Sequence, residues 1–266
     1  MPTKDEIYQL FEPIDYKLSK DESNGLITFS VYGPHSIYND GAIENIPLAQ
    51  QYYPEWNLRF YVDETSPILS RLWKEDVDIF VMKKPRGVLG TFWRLLDIGN
   101  CRYEYVLIRD TDQRLSDKES KAVDDWLLSG RLAHRMYEGS NQTGVPLMAC
   151  AIGFRTCVID NMLEDIADWL ISKCGHEITH WATTTGGADH FPRLLYGAEQ
   201  FYLTERIWPL IKDSCLTHGE LGVPFPPWSG YLPWGGTEMF KRITPHTHNR
   251  IIFGERPQYA YDTENH

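Results

Sequence analysis

Short runs of β-branched and aromatic residues alternate with stretches of helical character along this 266-residue chain, and this alternation limits the folds open to it. The runs occupy residues 26–32, 57–64, 77–84, 103–110 and 145–154. Strands separated by helical connections predict βαβ units and a mainly parallel sheet, with loops and ligands at the carboxyl ends of the strands. The fold class expected from the residues is therefore α/β.

The connection after the fourth run carries clear helix signals. Ser116 with Glu119 three residues later forms a capping-box pattern, apolar residues then repeat at helical spacing, and Gly130 provides a stop. Further helices are predicted over residues 159–170 and 199–212. Three regions are expected: a polar, irregular N-terminal extension (1–24), one domain (25–218), and an arm or lid rich in Pro, Gly and Trp (219–266).

Charge and cysteine content exclude several classes of protein. The chain has 26 Lys and Arg against 37 Asp and Glu, a formal charge of −11 without a local basic stripe, so no nucleic-acid partner is expected. The five cysteines form neither CxxC pairs nor a regular disulfide framework, which predicts reduced thiols and a cytoplasmic protein. No apolar run approaches the roughly 20 residues of a membrane span, so no transmembrane segment is expected.

Two carboxylates, Asp110 and Asp112, follow the fourth run directly and precede the predicted helix. At the end of a buried strand, both can point into a cleft and bind one hard divalent cation, directly or through water. Arg94, Arg109 and Arg114 lie nearby in sequence and suit phosphate oxygens. The alternative is that the two acids only form a turn and cap the helix, with the arginines as ion-pair partners.

The sequence around these acids is similar to GT-A glycosyltransferases, particularly a group found in polysaccharide-assembly loci and large viruses that is distantly similar to retaining family 8-like enzymes. The family signature is a Phe-Trp-Arg helix, then an Arg-Asp-x-Asp-Ser-Arg strand end, then a Glu-containing helix ending near a His. Matching positions here are Phe92, Trp93, Arg94, Arg109, Asp110, Asp112 and Arg114. Gln113 replaces the usual Ser. The resemblance spans about residues 25–218 and implies a Rossmann-like, mainly parallel mixed sheet.

A second matching stretch lies at residues 196–218, where the family has Tyr-Gly-x-Asp-Gln and a downstream His. Glu199 stands in place of the Asp and is one methylene longer, whereas Gln200 and His218 match. The resemblance implies that Glu199 and Gln200 are catalytic and face the transferred sugar or the acceptor. It also implies a Mn²⁺ or Mg²⁺ site made of Asp110, Asp112 and His218. Two Asp and one His around an ion with open positions are, by their chemistry alone, compatible with Mn²⁺.

The reaction implied by the resemblance is transfer of a sugar from a nucleotide-diphosphate donor, UDP-hexose being favoured, to a hydroxyl of a glycan or glycoconjugate acceptor. The metal would bridge the diphosphate and stabilise the leaving group. The donor-binding residues implied are Val31, Tyr32, Gly33, Asp63, Arg94, Arg109, Asp110, Thr111, Asp112 and Gly153. Tyr32 equally fits an aromatic at the edge of the core, Asp63 a turn acid, and Gly153 a bend after a strand.

A competing motif is formed by His176, Glu177 and His180, which match the HExxH pattern of zinc metallohydrolases. In that pattern two histidines one helical turn apart hold zinc and the glutamate activates water. Residues 173–175 (Lys-Cys-Gly) instead predict a helix end directly before the motif. A non-catalytic sugar-binding module is the other alternative, with the aromatic residues of 228–234 stacking on sugars. His246 and His248 are expected in a solvated loop.

Overall fold

A computed structural model describes residues 3–19, 23–85, 87–137, 146–156, 158–173 and 197–218. The strands are β1 (Asp15–Lys17), β2 (Gly25–Val31), β3 (Trp56–Asp63), β4 (Asp78–Met82), β5 (Tyr105–Arg109), β6 (Ala133–Met136), β7 (Ala151–Arg155) and β8 (Cys215–His218). The helices are α1 (Lys4–Phe11), α2 (Ser36–Tyr52), α3 (Leu69–Leu72), α4 (Asp117–Ser129), α5 (Met162–Ser172), α6 (Ala198–Tyr202) and α7 (Trp208–Ile211). The predicted α/β class is confirmed.

All eight strands belong to one mixed sheet in the order β1-β4-β3-β2-β5-β7-β6-β8. Strands β4, β3, β2 and β5 are parallel, and Phe29 of β2 pairs with Phe60 on one side and Arg109 on the other. Strand β7 runs antiparallel between β5 and β6, and β8 is parallel to β6. Strand β1 is antiparallel to β4 at one edge. The sheet is therefore parallel at its centre and mixed towards both edges.

The two largest apolar clusters of the described residues cover the sheet, one on each face. The first contains apolar side chains of α2, α4 and the alternate strand positions that face them, among them Phe29, Leu107 and Trp126. The second contains side chains of α1, α5, α6 and a 3-10 helical segment, Gly87–Gly99, with Trp93 fully buried. Burial on both faces explains the nearly continuous apolar character of the central strands.

Helix α4 begins and ends where the sequence predicts. The Ser116 hydroxyl accepts a hydrogen bond from the backbone N–H of Glu119 at 3.4 Å, and Gly130 adopts the left-handed conformation with φ of 66°. The Glu119 carboxylate bonds Arg109, so only half of the predicted capping box forms. The last predicted helix is also present, as α6 and α7 joined by a π-helical turn, Leu203–Ile207.

Four sequence expectations differ from the structure. Residues 4–17, expected to be irregular, form α1 and β1, because Thr3 and Glu6 make a complete capping box and the apolar side of α1 enters the core. Strands β6 and β8 were not predicted, and residues 146–150 precede β7 without being part of it. The expectation of five reduced thiols is wrong, because Cys101 is disulfide-bonded, whereas Cys150 and Cys215 are free.

Among the described residues, no helix is long and apolar enough to cross a membrane.

A buried ion-pair network links β3, β4 and the 3-10 segment on the second face. The Arg59 guanidinium donates to Asp78 Oδ2 at 2.8 Å and to Asp97 Oδ1. The hydroxyl of Tyr61 donates to Asp97 at 3.1 Å, and that of Tyr103 donates to Asp78 at 3.3 Å. The guanidinium and both carboxylates have side chains 5% exposed or less. Each charge is thus paired and hydrogen-bonded where water cannot reach it.

Candidate active site

The strand order creates a crevice between β2 and β5. The chain proceeds from β2 to β3 and β4 in one direction and then returns to place β5 on the other side of β2. The loops after β2 and β5 therefore leave the sheet in opposite directions, and open α/β sheets bind ligands at the carboxyl ends of strands at such a switch point. Tyr32 and Gly33 follow β2 here, and Asp110, Thr111 and Asp112 follow β5.

Helix α2 holds the loop after β5 in place. The Asn45 side chain donates to the carbonyl of Gln113 at 2.8 Å and accepts from the N–H of Leu115 at 2.9 Å. Gly41 brings the helix backbone so close that a Cβ there would stand 1.8 Å from the Thr111 carbonyl oxygen. This loop is consequently fixed by a buried amide and by close backbone contact.

The two candidate ligands differ in exposure within this fixed loop. Asp112 is only 8% exposed, whereas the Asp110 side chain is 35% exposed. Arg114 lies behind them, donating to the Thr111 carbonyl at 2.7 Å and to Glu44 at 2.6 Å. Asp110 is therefore the more accessible carboxylate, and Arg114 supports the loop from the side of α2.

Arg94 of the 3-10 segment is buried directly beside Asp110. Its guanidinium donates to Asp110 Oδ1 and, at 2.7 Å, to the Arg109 carbonyl, and its backbone N–H donates to the Ser30 hydroxyl at 3.2 Å. Burial works to lower the pKa of Arg94, but the charges of Asp110 and Glu199 outweigh it and raise that pKa. The guanidinium thus hydrogen-bonds Asp110 and attracts Glu199 electrostatically, and Asp110 Oδ2 has no hydrogen bond or ion pair within the described part of the chain.

Glu199 reaches the same place from α6. Gly197 starts this helix in the left-handed conformation with φ of 85°, and Glu199 in the first turn is 5% exposed. Its carboxylate accepts a hydrogen bond from the Thr91 hydroxyl at 3.1 Å. Burial raises the pKa of Glu199, while the positive charge of Arg94 opposes this rise. Gln200 follows on the same turn and is half-buried.

Tyr32 lines the crevice from the β2 side. Its ring lies against Gly90, where a Cβ would come within 2.6 Å of the ring, and meets Trp93 edge-on at 6.1 Å between centroids. Burial raises the pKa of Tyr32, and the negative charge of Glu199 adds to that rise. Gly33 has φ of 79°, a left-handed backbone conformation that favours glycine at this turn although the space around it is open. Tyr32, Arg94, Asp110 and Glu199 are thereby brought together.

Two other predicted donor residues lie at strand ends with clear local roles. Val31 is fully buried, and its side chain belongs to the apolar cluster shared with α2. The Asp63 carboxylate accepts hydrogen bonds from the N–H of Thr65 at 2.8 Å and from its hydroxyl at 2.9 Å. Both hydrogen bonds of Asp63 are those of an acid that stabilises a turn, which was the alternative role predicted for it.

Arg109 and Gly153 lie under α4, on the face of the sheet that this helix covers. The Arg109 side chain bonds Glu119 and, at 2.8 Å, the carbonyls of Ile108 and Ile152. Gly153 is in mid-strand, where a Cβ would stand 2.9 Å from the ring of Trp126. Packing against α4 accounts for this glycine, and Arg109 supports the strand from which Asp110 projects.

His218 is not brought together with Asp110 and Asp112. It ends β8, three strands away from β5, which corresponds to about 14 Å across the sheet. Its Nε2 lies 3.7 Å from Asp125 Oδ2, and its ring lies 5.4 Å from that of His134. Within the described residues, no group of three or more His, Cys, Asp or Glu side chains is placed to hold a metal. Of the three predicted metal ligands, Asp110 and Asp112 thus share the loop after β5, and His218 lies apart from them.

Thr91 contacts the site without having been predicted from sequence, and Cys150 is buried near the charged residues of the site. Thr91 directly precedes the matched Phe-Trp-Arg segment, and its hydroxyl contacts Glu199. Burial raises the pKa of the Cys150 thiol to about 12, with further contributions from the nearby charges of Asp110 and Asp112. In the sequence, the only indication of a role for these two residues is that they lie in or beside segments that resemble GT-A glycosyltransferases.

Several other predicted residues lie outside the described part of the chain: the HExxH residues 176–180, the aromatic stretch 228–234 and the histidines 246 and 248.

No model of a known protein family matches the chain, and no curated protein matches it.

Proposed function

We propose that this protein is a glycosyltransferase that uses a divalent cation to transfer a sugar, UDP-hexose being the favoured donor, to a hydroxyl of a glycan or glycoconjugate. The observation that carries the proposal is the position of Asp110 and Asp112 on a fixed loop at the switch point of a parallel sheet. The resemblance of this segment to GT-A glycosyltransferases supplies the reaction class.

The donor set of this loop fits Mg²⁺ or Mn²⁺. These ions prefer oxygen ligands, keep several waters, and are commonly held by one or two carboxylates together with substrate phosphates. Asp110 has one oxygen paired with Arg94, and its second oxygen could serve as a ligand because the side chain is partly exposed. Two aspartates suffice for such a site, so the proposal does not require His218. When bound, the cation would neutralise charge on the diphosphate as the glycosidic bond breaks.

The surrounding residues would orient the donor. Tyr32 and Gly33 form the wall of the crevice on the β2 side, where the nucleoside would lie, and Asp63 lies at the end of the neighbouring strand. Glu199 would contact the transferred sugar, as the resemblance implies, with its carboxylate held by the Thr91 hydroxyl and attracted by the positive charge of Arg94. Arg94 would position Asp110 and is itself already hydrogen-bonded, so its main contribution is to the loop.

Calorimetric titration tests the proposal. UDP, GDP and their glucose, galactose and mannose conjugates are titrated into the protein with Mn²⁺ and then with EDTA. We expect one nucleotide to bind in a metal-dependent way and this binding to be lost in Asp110→Asn/Asp112→Asn. The matched control is Asp117→Asn/Asp124→Asn, which removes the same charge from exposed positions of α4. Equal binding by the site variant and the wild type, or binding that EDTA does not change, would refute the proposal.

A further inference from the structure

Strand β1 leaves an apolar stripe at an open edge of the sheet. Within the described residues, only β4 pairs with β1, so the outer edge of β1 has no strand partner. Ile14, Tyr16 and Leu18 stand at alternate positions and are 48%, 61% and 42% exposed. The Tyr16 ring stacks on Phe80 of β4 at 6.0 Å, which fixes the face that these residues share. Natural sheets usually protect such edges, because they pair readily with other strands.

Two opposite charges flank Tyr16 on the other face of the strand. Asp15 accepts a hydrogen bond from the N–H of Tyr16 at 2.8 Å. The Lys17 ammonium donates to the Trp73 carbonyl at 3.1 Å and to the Glu75 carbonyl, so it is held against the protein. An anchored lysine protects an edge less well than one extending freely into water. The strand thus presents apolar residues on one face and a negative and a positive charge, symmetrically placed, on the other.

We propose that the outer edge of β1 pairs antiparallel with β1 of a second copy of this chain, about a two-fold axis at Tyr16. This pairing sets Ile14 opposite the partner's Leu18 and Tyr16 opposite the partner's Tyr16. On the other face it sets Asp15 opposite the partner's Lys17, and by symmetry the reverse pair is also opposed. To form these ion pairs, each Lys17 ammonium exchanges its Trp73 and Glu75 carbonyl partners for the partner's Asp15 carboxylate. Such an interface is isologous, since the same surface is used on both copies.

The charge pattern favours this register over its neighbours. Parallel pairing in register would set Asp15 against the partner's Asp15, and like charges directly opposite each other are destabilising. A shift of one residue would bring the charged face of one strand beside the apolar face of the other. Three side chains and a short strand form a small interface, so a weak, concentration-dependent dimer is expected. This inference does not depend on the proposed enzymatic function.

Sedimentation velocity over a range of protein concentrations tests the pairing. Lys17→Asp and Asp15→Lys each replace two attractive cross-strand pairs by two repulsive ones, so each should weaken the dimer about tenfold or more. The double variant Asp15→Lys/Lys17→Asp should restore it, although it carries both local changes. Circular dichroism checks that all variants fold. A wild type that remains monomeric throughout, or a double variant no better than the single ones, overturns the proposal.

Cysteine cross-linking gives an independent measurement of the register. Tyr16→Cys places a thiol beside its own copy and should form an intermolecular disulfide, identified by mass spectrometry of the linked peptide. Ile14→Cys alone should not cross-link, but a mixture of Ile14→Cys and Leu18→Cys chains should give the mixed dimer. Cross-linking of Ile14→Cys with itself would contradict the two-fold axis at Tyr16.

Discussion

Removing Arg59 should cost a large part of the stability of this fold. The guanidinium neutralises Asp78 and Asp97, and the three side chains are all 5% exposed or less. Arg59→Met keeps much of the side-chain volume and the apolar contact with Phe80, over which the guanidinium lies at 4.7 Å. It leaves two carboxylates buried without their counter-charge. Breaking a buried ion pair by removing one partner costs about 3–5 kcal/mol, against a total stability of about 5–15 kcal/mol for ordinary domains.

Urea denaturation followed by tryptophan fluorescence measures this loss. Lys121→Met is the matched control, because Lys121 and Asp117 form an ion pair with side chains 71% and 60% exposed, which is worth about 1 kcal/mol or less. The triple variant Arg59→Met/Asp78→Asn/Asp97→Asn should be more stable than Arg59→Met alone, since it leaves no buried charge unpaired. A loss for Arg59→Met no greater than that of Lys121→Met would refute the reasoning.

Three further predictions concern the candidate site and its surroundings. Gly41→Ala should destabilise the protein by about 1–3 kcal/mol, although alanine favours helix, because the added Cβ would clash with the Thr111 carbonyl. Urea denaturation measures this change, and a gain in stability would show that α2 and the loop can move apart without cost. Thr91→Val should raise the pKa of Glu199, because the lost hydroxyl stabilises the charged carboxylate, whereas Thr91→Ser should leave that pKa close to wild type. Carbon-13 NMR titration, with Glu199→Gln to assign the signal, measures this pKa, and equal values in the two variants would contradict the role of the hydroxyl. Burial holds the pKa of His134 well below its ordinary 6.5, so the unfolded chain binds the proton first and stability falls as pH drops below about 6.5. His134→Phe should keep the stacking on Trp126 and reduce the loss of urea stability between pH 7 and pH 5, and an unchanged loss would assign it to other groups.

The parts of the fold that sequence predicts are those with local signals. Strand β2 and helix α4 were found because an apolar run, a serine cap and a terminal glycine each act within a few residues. Strands β6 and β8 have only four residues each, and they are strands because β6 pairs with β7 and β8 pairs with β6. Helix α1 was not predicted, because its capping box lies in a polar segment. Its few apolar residues form a buried face only through packing against distant elements such as α5.

The same distinction applies to the candidate site. Asp110 and Asp112 could be predicted, since a strand end and a helix cap bracket them in sequence. Thr91 could not, because its hydrogen bond to Glu199 joins residues 108 positions apart. His218 depends on strand order, which no local pattern determines: with β7 and β6 inserted between β5 and β8, the histidine lies beside α4 and Asp125.

Arg94 has a role in this site that follows from its burial. A guanidinium that already bonds Asp110 and a backbone carbonyl, and whose pKa is raised by two carboxylates, remains charged and stays in place whether or not a ligand is bound. Under the proposed function it would therefore act on a diphosphate mainly through Asp110, by fixing which carboxylate oxygen is available for a cation. Under the proposed function, lysine at this position would keep the charge but lose the forked geometry, so metal-dependent nucleotide binding should weaken while the fold is retained. Calorimetry on Arg94→Lys measures this effect. Binding equal to wild type would mean that charge alone, without the two directed hydrogen bonds, is sufficient to hold the loop.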